Sequence, residues 1–413
     1  MHFVHPWFKN SSFFPLNYSP NATKSLKKCN KVRFFQNRRV CALRPRRHAS
    51  WWTAFFKNTQ LKPKPAPPGN PAFNYLLIMR KIINNPENFV DEMMDGIVRA
   101  HGNKVKFLND DPRMLISNCP PEKGKVGIVT GGGSGHLPLF LGYVGKGMLD
   151  GCAVGNVFAS PSAKKMEDLI RACDQGNGVL CLYGNYGGDI LNFEMACENA
   201  GFDGIKTAQV LGCDDVASSP RETPEKRRGV AGIVFAFKAA GAAAARMRSL
   251  EEVVAVARKA IGNTRTMGCA LSPCVVPEVG KPTFSINDDE IEIGMGIHGE
   301  PGIEVKKLMS ADQLVETLMG KILDDMPLKE GDEVSVLVNG LGGTPLEEQL
   351  IAFRKVHIML GEIGVKVHKP HIGEFATSME MAGLSISILK LDEELKSLLD
   401  HPADTPFYTN SNK

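Results

Sequence analysis

From residue 79 onward the chain alternates short continuous apolar runs with longer segments whose apolar residues recur every three or four positions. Residues 126–130 (VGIVT), 179–183 (VLCLY) and 334–338 (VSVLV) are apolar without the polar alternation of a half-exposed sheet. Such runs predict strands covered on both faces. Residues 91–101, 163–173 and 250–261 have helical spacing. The sequence Thr344-Pro345-Leu346-Glu347 predicts a helix start, with Thr344 as N-cap, a first-turn proline, a glutamate at the third position, and Leu346, Leu350 and Phe353 on one face. Strands alternating with helices predict an α/β protein in which helices layer on sheet.

The chain has 413 residues, enough for two cores. The polar stretch at 218–229 (SSPRETPEKRRG) reads as an exposed loop, and the Gly/Pro-rich segment 262–284 as the crossing between domains. The expected division is a first α/β domain at 79–262, a second at 263–405 and a tail at 406–413. No internal repeat is visible. The longest apolar run, residues 230–237, stops at Lys238, far short of the roughly 18–20 residues that span a bilayer.

Residues 1–78 are different in kind. They hold 14 Lys and Arg, no Asp or Glu, and all three Trp. The formal charge of +4 therefore hides an acidic body with 35 bases and 45 acids. Nothing in that balance calls for a nucleic-acid partner. An acid-free leader with Arg and Ser resembles an organellar transit segment and lacks the apolar stretch of a secretory signal. The alternative is an upstream extension, with Met79 opening the folded protein. A cytoplasmic location is expected, with a mitochondrial or plastid one only if the leader is a genuine targeting segment. Ten cysteines include no CxxC pair and no Cys/His cluster at zinc spacing. Most lie beside apolar residues, so small buried thiols in a reducing compartment are expected, with no metal.

The most informative local sequence is VTGGGSGHLP at 129–138, which ends the first apolar run. Its glycines let backbone N–H groups approach a small polar ligand. It matches neither the phosphate loop, lacking GK[ST], nor the dinucleotide fingerprint, nor the GxSxG elbow, because His136 stands where each of the last two needs glycine. Three further segments set polar groups among glycines: LYGNYGGDILNFE at 182–194 with Asp189, GMGIHGEPGIE at 294–304 with His298, and VNGLGGTPLEE at 338–348 with Asn339. Taken singly, His136 and His298 read as hydrogen-bonded loop histidines, Asp189 as a helix N-cap and Asn339 as a turn former.

Together GGGSGH, GYVGKGM, NYGGDILNFE, DDVA, RRGVAG, GKPTF, GIHGEPG, VNGLGGTPLEE and TSMEMAG resemble, in order and spacing, the substrate-binding K-type subunit of dihydroxyacetone kinases, from about Met79 to Thr405. The resemblance implies two α/β domains, the first a three-layer parallel sheet and the second a mixed sheet, paired as a homodimer. It implies that His298 adds through a ring nitrogen to a ketone as a covalent hemiaminal, that Asp189 accepts the proton of a terminal hydroxyl, and that His136 orients the substrate. The backbone of Gly132, Gly133, Ser134 and Gly135 would complete the hydroxyl cradle. It further implies no nucleotide on this chain: ADP or ATP with magnesium would reside on a separate L-type subunit.

Two positions depart from the family pattern. Gly184 replaces a lysine ahead of the NYxGD segment, and Leu137 replaces a glutamate after GGGSGH. Fewer polar contacts and more room are expected there, as in the branch acting on four-carbon ketoses such as erythrulose. A reading of another class is a ligand-sensing co-regulator that catalyses nothing; His136, Asp189 and His298 together favour the enzyme. A fatty-acid-binding protein of distantly similar fold is disfavoured by the polar glycine loops.

Overall fold

The computed structural model describes residues 81–120 and 122–411. The basic leader and its targeting reading lie outside them. The first layered unit runs α1 (Phe89–His101), β1 (Val105–Leu108), β2 (Asp111–Ser117), β3 (Gly127–Gly132), β4 (Gly151–Val154), α2 (Ala163–Cys173), β5 (Val179–Gly184), α3 (Gly187–Phe202), β6 (Thr207–Gly212), α4 (Ile233–Ala245) and α5 (Leu250–Gly262). Its sheet has the order β1-β2-β4-β3-β5-β6. Strands β4, β3, β5 and β6 are parallel, and the antiparallel β1–β2 hairpin closes one edge.

The continuous apolar runs have a direct structural cause. In β5, Leu180 and Leu182 point into the core shared with α1, α4 and α5, whereas Val179, Cys181 and Tyr183 pack under α2 and α3. Both faces are covered, so no polar alternation survives. Helix α4 is buried on nearly every side. Its alanines and Gly241 let it lie against the chain at Gly147–Met148, where a Cβ on Gly241 would come within 2.4 Å of Met148 Cα.

The second unit holds β7 (Thr264–Ser272), β8 (Glu290–Ile293), β9 (Glu304–Lys307), α6 (Ala311–Asp325), β10 (Glu333–Gly340), α7 (Leu346–Glu362), β11 (Lys366–Glu374), β12 (Ala382–Lys390) and α8 (Glu393–Leu399). The sheet order is β11-β10-β12-β7-β8-β9, mixed because only β10 and β11 run parallel. Val334, Val336 and Val338 pack under α6 and α7, while Leu337 and Leu389 turn the other way and join the first core. Asp214 ties the two units together. Its carboxylate accepts from the N–H groups of Val230 and Gly232 ahead of α4 and from the Thr266 hydroxyl on β7, beside Ser387 on β12.

Several sequence expectations need correction. Thr344 does not cap α7: its hydroxyl is tied to the backbone of Gly383, and the N-cap position falls to Pro345. The face of α7 is also rotated. Leu346 and Leu350 are about half exposed, and Gln349, Ala352, Val356 and Leu360 face inward. The segment 262–284 is not a linker throughout, because β7 occupies its first half. The loop at 218–229 is exposed only in part: Arg227 is fully buried and paired with Asp325 of α6. Asn339 is no turn former. It sits buried in β10, accepts from the N–H groups of Phe375 and Ala376 and donates to the Ala376 carbonyl, fixing the chain that follows β11. Six of the eight described cysteines are buried thiols, with the sulfurs of Cys181 and Cys197 3.7 Å apart.

Candidate active site

Two of the glycine-rich motifs leave the carboxyl ends of adjacent parallel strands, where wound sheets form ligand clefts. After β3 the chain turns through Gly133 into a short 3-10 turn, Ser134–His136. The glycines are there for packing against the loop around Val157: a Cβ on Gly133 would lie 2.5 Å from the Val157 carbonyl oxygen, and one on Gly135 would lie 2.4 Å from the Val157 side chain. The N–H groups of Ser134 and Gly135 are already bonded to the carbonyls of Asn156 and Val157. They are unavailable to a ligand, which narrows the expected cradle to Gly132, Gly133 and the buried Ser134 hydroxyl, whose oxygen has no partner among the described residues.

From the second unit, the segment after β11 clamps this turn. Thr377 N–H donates to the His136 carbonyl, the Thr377 hydroxyl to the Leu137 carbonyl and Met379 N–H to the Gly135 carbonyl. His136 is 1% exposed and stacks on Phe158 with ring centres 5.0 Å apart. Its Nδ1 lies 2.8 Å from the Thr377 carbonyl oxygen. Burial first, and the neighbouring His298 second, hold its imidazole down to about 3.

After β5, Tyr186 leads into α3, and Asp189 occupies the first turn of that helix without being its N-cap. The carboxyl is 5% exposed, and Oδ1 has no hydrogen-bond partner among the described residues. Burial pushes Asp189 up to about 6, against a smaller opposing pull from the Ser160 hydroxyl and His298. A buried carboxyl poised near neutrality, with one oxygen unclaimed, suits a general base. The space beside Gly184 is not empty: a Cβ there would come within 3.0 Å of the Tyr186 ring.

His298 lies in the turn between β8 and β9, and each glycine of GIHGEPG has a reason: a Cβ on Gly302 would lie 2.2 Å from the Ile293 carbonyl oxygen. Gly299 has φ +83, and a Cβ on Gly296 would collide with the carboxylate of Glu300 and the guanidinium of Arg228. Glu300 accepts from both the backbone N–H and Nδ1 of His298, each at 2.9 Å. Burial works to raise the Glu300 carboxyl, but the hydrogen bonds and charge of His298 outweigh it and hold the group at about 2. The His298 ring is caged edge-on by Tyr186 at 4.7 Å, Phe158 at 5.3 Å and His136 at 4.7 Å between ring centres. Its Nε2 lies 3.0 Å from His136 Nε2. Behind Glu300, the Arg228 guanidinium pairs with Asp215 and approaches the Glu300 carboxylate at 3.8 Å.

His136 and His298, 162 positions apart, are thus in direct contact, and Asp189 is close enough to feel the charge of His298. Sequence reasoning missed the roles of Glu300, Phe158, Tyr186, Ser160 and Arg228. Glu300, Arg228 and Tyr186 stood inside quoted motifs, but nothing in their spacing linked them. Phe158 carries no pattern at all.

Residues 95–407 match the Dak1 domain. The chain is 47% identical over 330 residues to the dihydroxyacetone-binding subunit DhaK of PTS-dependent dihydroxyacetone kinase 2 of Listeria innocua, covering 80% of this chain and 99% of that protein. It is 41% identical over 334 residues to L-erythrulose kinase of Pectobacterium atrosepticum, covering 80% of this chain and 56% of that one. Among solved structures, the dihydroxyacetone kinase operon co-activator Dha-DhaQ superposes with a TM-score of 0.74 at 30% identity, covering 78% of this chain and 99% of the other. The order of motifs, the two-domain α/β fold and the matched residues agree, and the chain belongs to the Dak1 domain family.

Proposed function

We propose that the chain is the ketose-binding subunit of a dihydroxyacetone kinase, capturing a short ketose on His298 and presenting its terminal hydroxyl to a phosphoryl donor carried by a separate L-type subunit. The observation that carries this reading is the pose of His298. Its Nδ1 is committed to Glu300, which directs the reactive lone pair to Nε2, on the side shared with His136. Addition of that nitrogen to a carbonyl carbon selects ketones and aldehydes over glycerol, which has similar hydroxyls and no carbonyl. His136, together with Gly132, Gly133 and the Ser134 hydroxyl, orients the bound sugar. Asp189 takes the hydroxyl proton as the phosphoryl group moves; catalysis of such transfers is mainly positioning and charge stabilisation.

Nucleotide and magnesium belong to the L-type partner in this reading, and two copies of the chain pair as a homodimer. The first domain comprises 79–262 and the second 263–405, in a cytoplasmic protein. Likeness to an L-erythrulose kinase supports a four-carbon ketose as the alternative substrate. A sensing role is supported by the likeness to a co-activator structure. Against it stands Asp189, because a sensor needs capture and no base. The test is turnover with purified L-type subunits and their phosphoryl donors. Phosphorylation of dihydroxyacetone or erythrulose, with glycerol inert, supports the kinase; capture without turnover with any L-type subunit supports the sensor.

A further inference from the structure

The two cysteines whose sulfurs lie 3.7 Å apart join the strand and the helix that together present Asp189. Along the interface of β5 and α3, Cys181 meets Cys197, and Tyr183 stacks on Phe193 with ring centres 4.1 Å apart. One further turn along the same buried face of α3 stands Asp189. The two thiols are unequal: Cys181 is 0% exposed and Cys197 9%. Cys181 donates to the Cys197 sulfur, so the donor is held well above the ordinary thiol range, with burial adding to the effect, and the acceptor is held below it. A thiolate is the group that oxidants attack first, and a thiol beside it resolves the product as a disulfide. Position and chemistry thus give Cys197 the first part and Cys181 the second.

We propose that Cys181 and Cys197 form a reversible intrachain disulfide on exposure to a hydroperoxide, and that this bond shifts the Asp189 end of α3 and slows phosphoryl transfer. The Cys197 thiolate attacks a peroxide oxygen, the O–O bond breaks, and the departing oxygen takes the proton that Cys197 gave up and leaves as an alcohol. Cys197 is then a sulfenic acid. Cys181 Sγ attacks that sulfur, the S–O bond breaks, and the hydroxide leaves as water with the Cys181 thiol proton. Both thiols are oxidised, and the hydroperoxide is reduced to alcohol and water. In a reducing compartment such a bond is transient.

The packing says which element yields. An S–S bond is about 2.05 Å long, against the present 3.7 Å between the sulfurs. Strand β5 is held along both edges by β3 and β6. Helix α3 has an uncovered outer face, where Leu191, Met195 and Phe202 are at least half exposed. The approach therefore falls to α3, and Asp189 moves with it relative to the Ser160 hydroxyl from which its carboxylate accepts. The effect on transfer rests on the assignment of Asp189 above, whereas the bond itself does not.

Three measurements on the full chain decide the matter. After treatment with hydrogen peroxide, non-reducing peptide mapping by mass spectrometry should show the Cys181 and Cys197 peptides linked with loss of two hydrogens, and a thiol reductant should separate them. Absence of that link under treatment that oxidises the exposed Cys119 would overturn the proposal. In protein with 13C-labelled aspartate carboxyls, the Asp189 signal, identified by its loss in Asp189→Asn, should change position on oxidation and stay in place in Cys197→Ser and Cys181→Ala. An unchanged signal in the linked wild-type protein would overturn the shift of α3, whether or not the variants fold. With a competent L-type partner, linked protein should transfer phosphoryl groups about 10- to 100-fold more slowly than reduced protein, while its adduct with dihydroxyacetone still forms. Equal rates would overturn the control of transfer. If neither form turns over, the kinase reading fails, and the peptide map and the Asp189 signal still decide the bond and its reach.

Discussion

Glu300 receives both the backbone N–H and the ring Nδ1 of His298, so one carboxylate fixes the position, orientation and tautomer of the residue assigned as nucleophile. Replacing it with alanine removes a charge-assisted hydrogen bond of about 1.5–3 kcal/mol. Glu300→Ala should therefore weaken capture of dihydroxyacetone about 10- to 100-fold, measured as the ketose concentration giving half-maximal adduct. Unchanged capture would separate Glu300 from the function of His298.

Asp189 is assigned a role only in the second step. Asp189→Asn keeps size and hydrogen bonding but loses the proton acceptor. Ketose capture should persist, while phosphoryl transfer with a competent L-type partner falls by about two orders of magnitude or more. In the unaltered protein, transfer should decline as pH drops through about 6, where the raised Asp189 carboxyl protonates. Turnover at the original rate in the variant would exclude the role.

The same carboxyl carries a stability cost with a defined pH window. Its value in the fold, about 6, lies above the ordinary aspartate value of 3.8. Below the lower value both states are protonated and the cost is absent; it grows through the interval and is complete above about 6, at roughly 2–3 kcal/mol. Asp189→Asn should thus raise the unfolding midpoint in denaturant at pH 7.5, with about a third of that gain left at pH 4.5 and almost none at about pH 3. A stabilisation independent of pH would point to a different cause.

Arg227 joins the loop ahead of α4 to helix α6 and is 1% exposed. Its Nη1 donates to Asp325 Oδ1 at 3.0 Å and its Nε to the Ser219 carbonyl at 2.9 Å, and Arg265 shares the same carboxylate. Arg227→Ala leaves a partly buried carboxylate with one of its two guanidinium partners, so a loss of about 1.5–3 kcal/mol is expected in equilibrium unfolding. A change below about 1 kcal/mol would mean that Arg265 alone satisfies Asp325.

Element type was legible wherever burial left a clear pattern. The runs at 126–130, 179–183 and 334–338 lie within β3, β5 and β10, because strands covered on both sides have no polar face to interrupt them. The pattern misled in α7. Counting large apolar residues chose Leu346 and Leu350, but the inward face is set by small Ala352, Val356 and a glutamine bonded to Glu374 and the Thr344 carbonyl. In the site, His136, Asp189 and His298 were legible through motifs. The residues that set their chemistry were not: Phe158 and Tyr186 reach the His298 ring from separate loops, and Thr377 fixes His136 from 241 positions away. Such partners are chosen by how the two sheets are laid together, which no local spacing encodes.

Intact-protein mass spectrometry with dihydroxyacetone, each erythrulose enantiomer and glycerol tests covalent capture most directly, and it needs no partner subunit. A tertiary ring nitrogen cannot dehydrate its adduct to an imine, so the protein should gain the mass of one whole ketose, whereas a lysine Schiff base would show addition minus water. Glycerol should give nothing. His298→Ala should abolish the adduct, and His136→Ala should only weaken it. An adduct that survives in His298→Ala, or a mass that shows loss of water, would contradict His298 as the residue that captures the substrate.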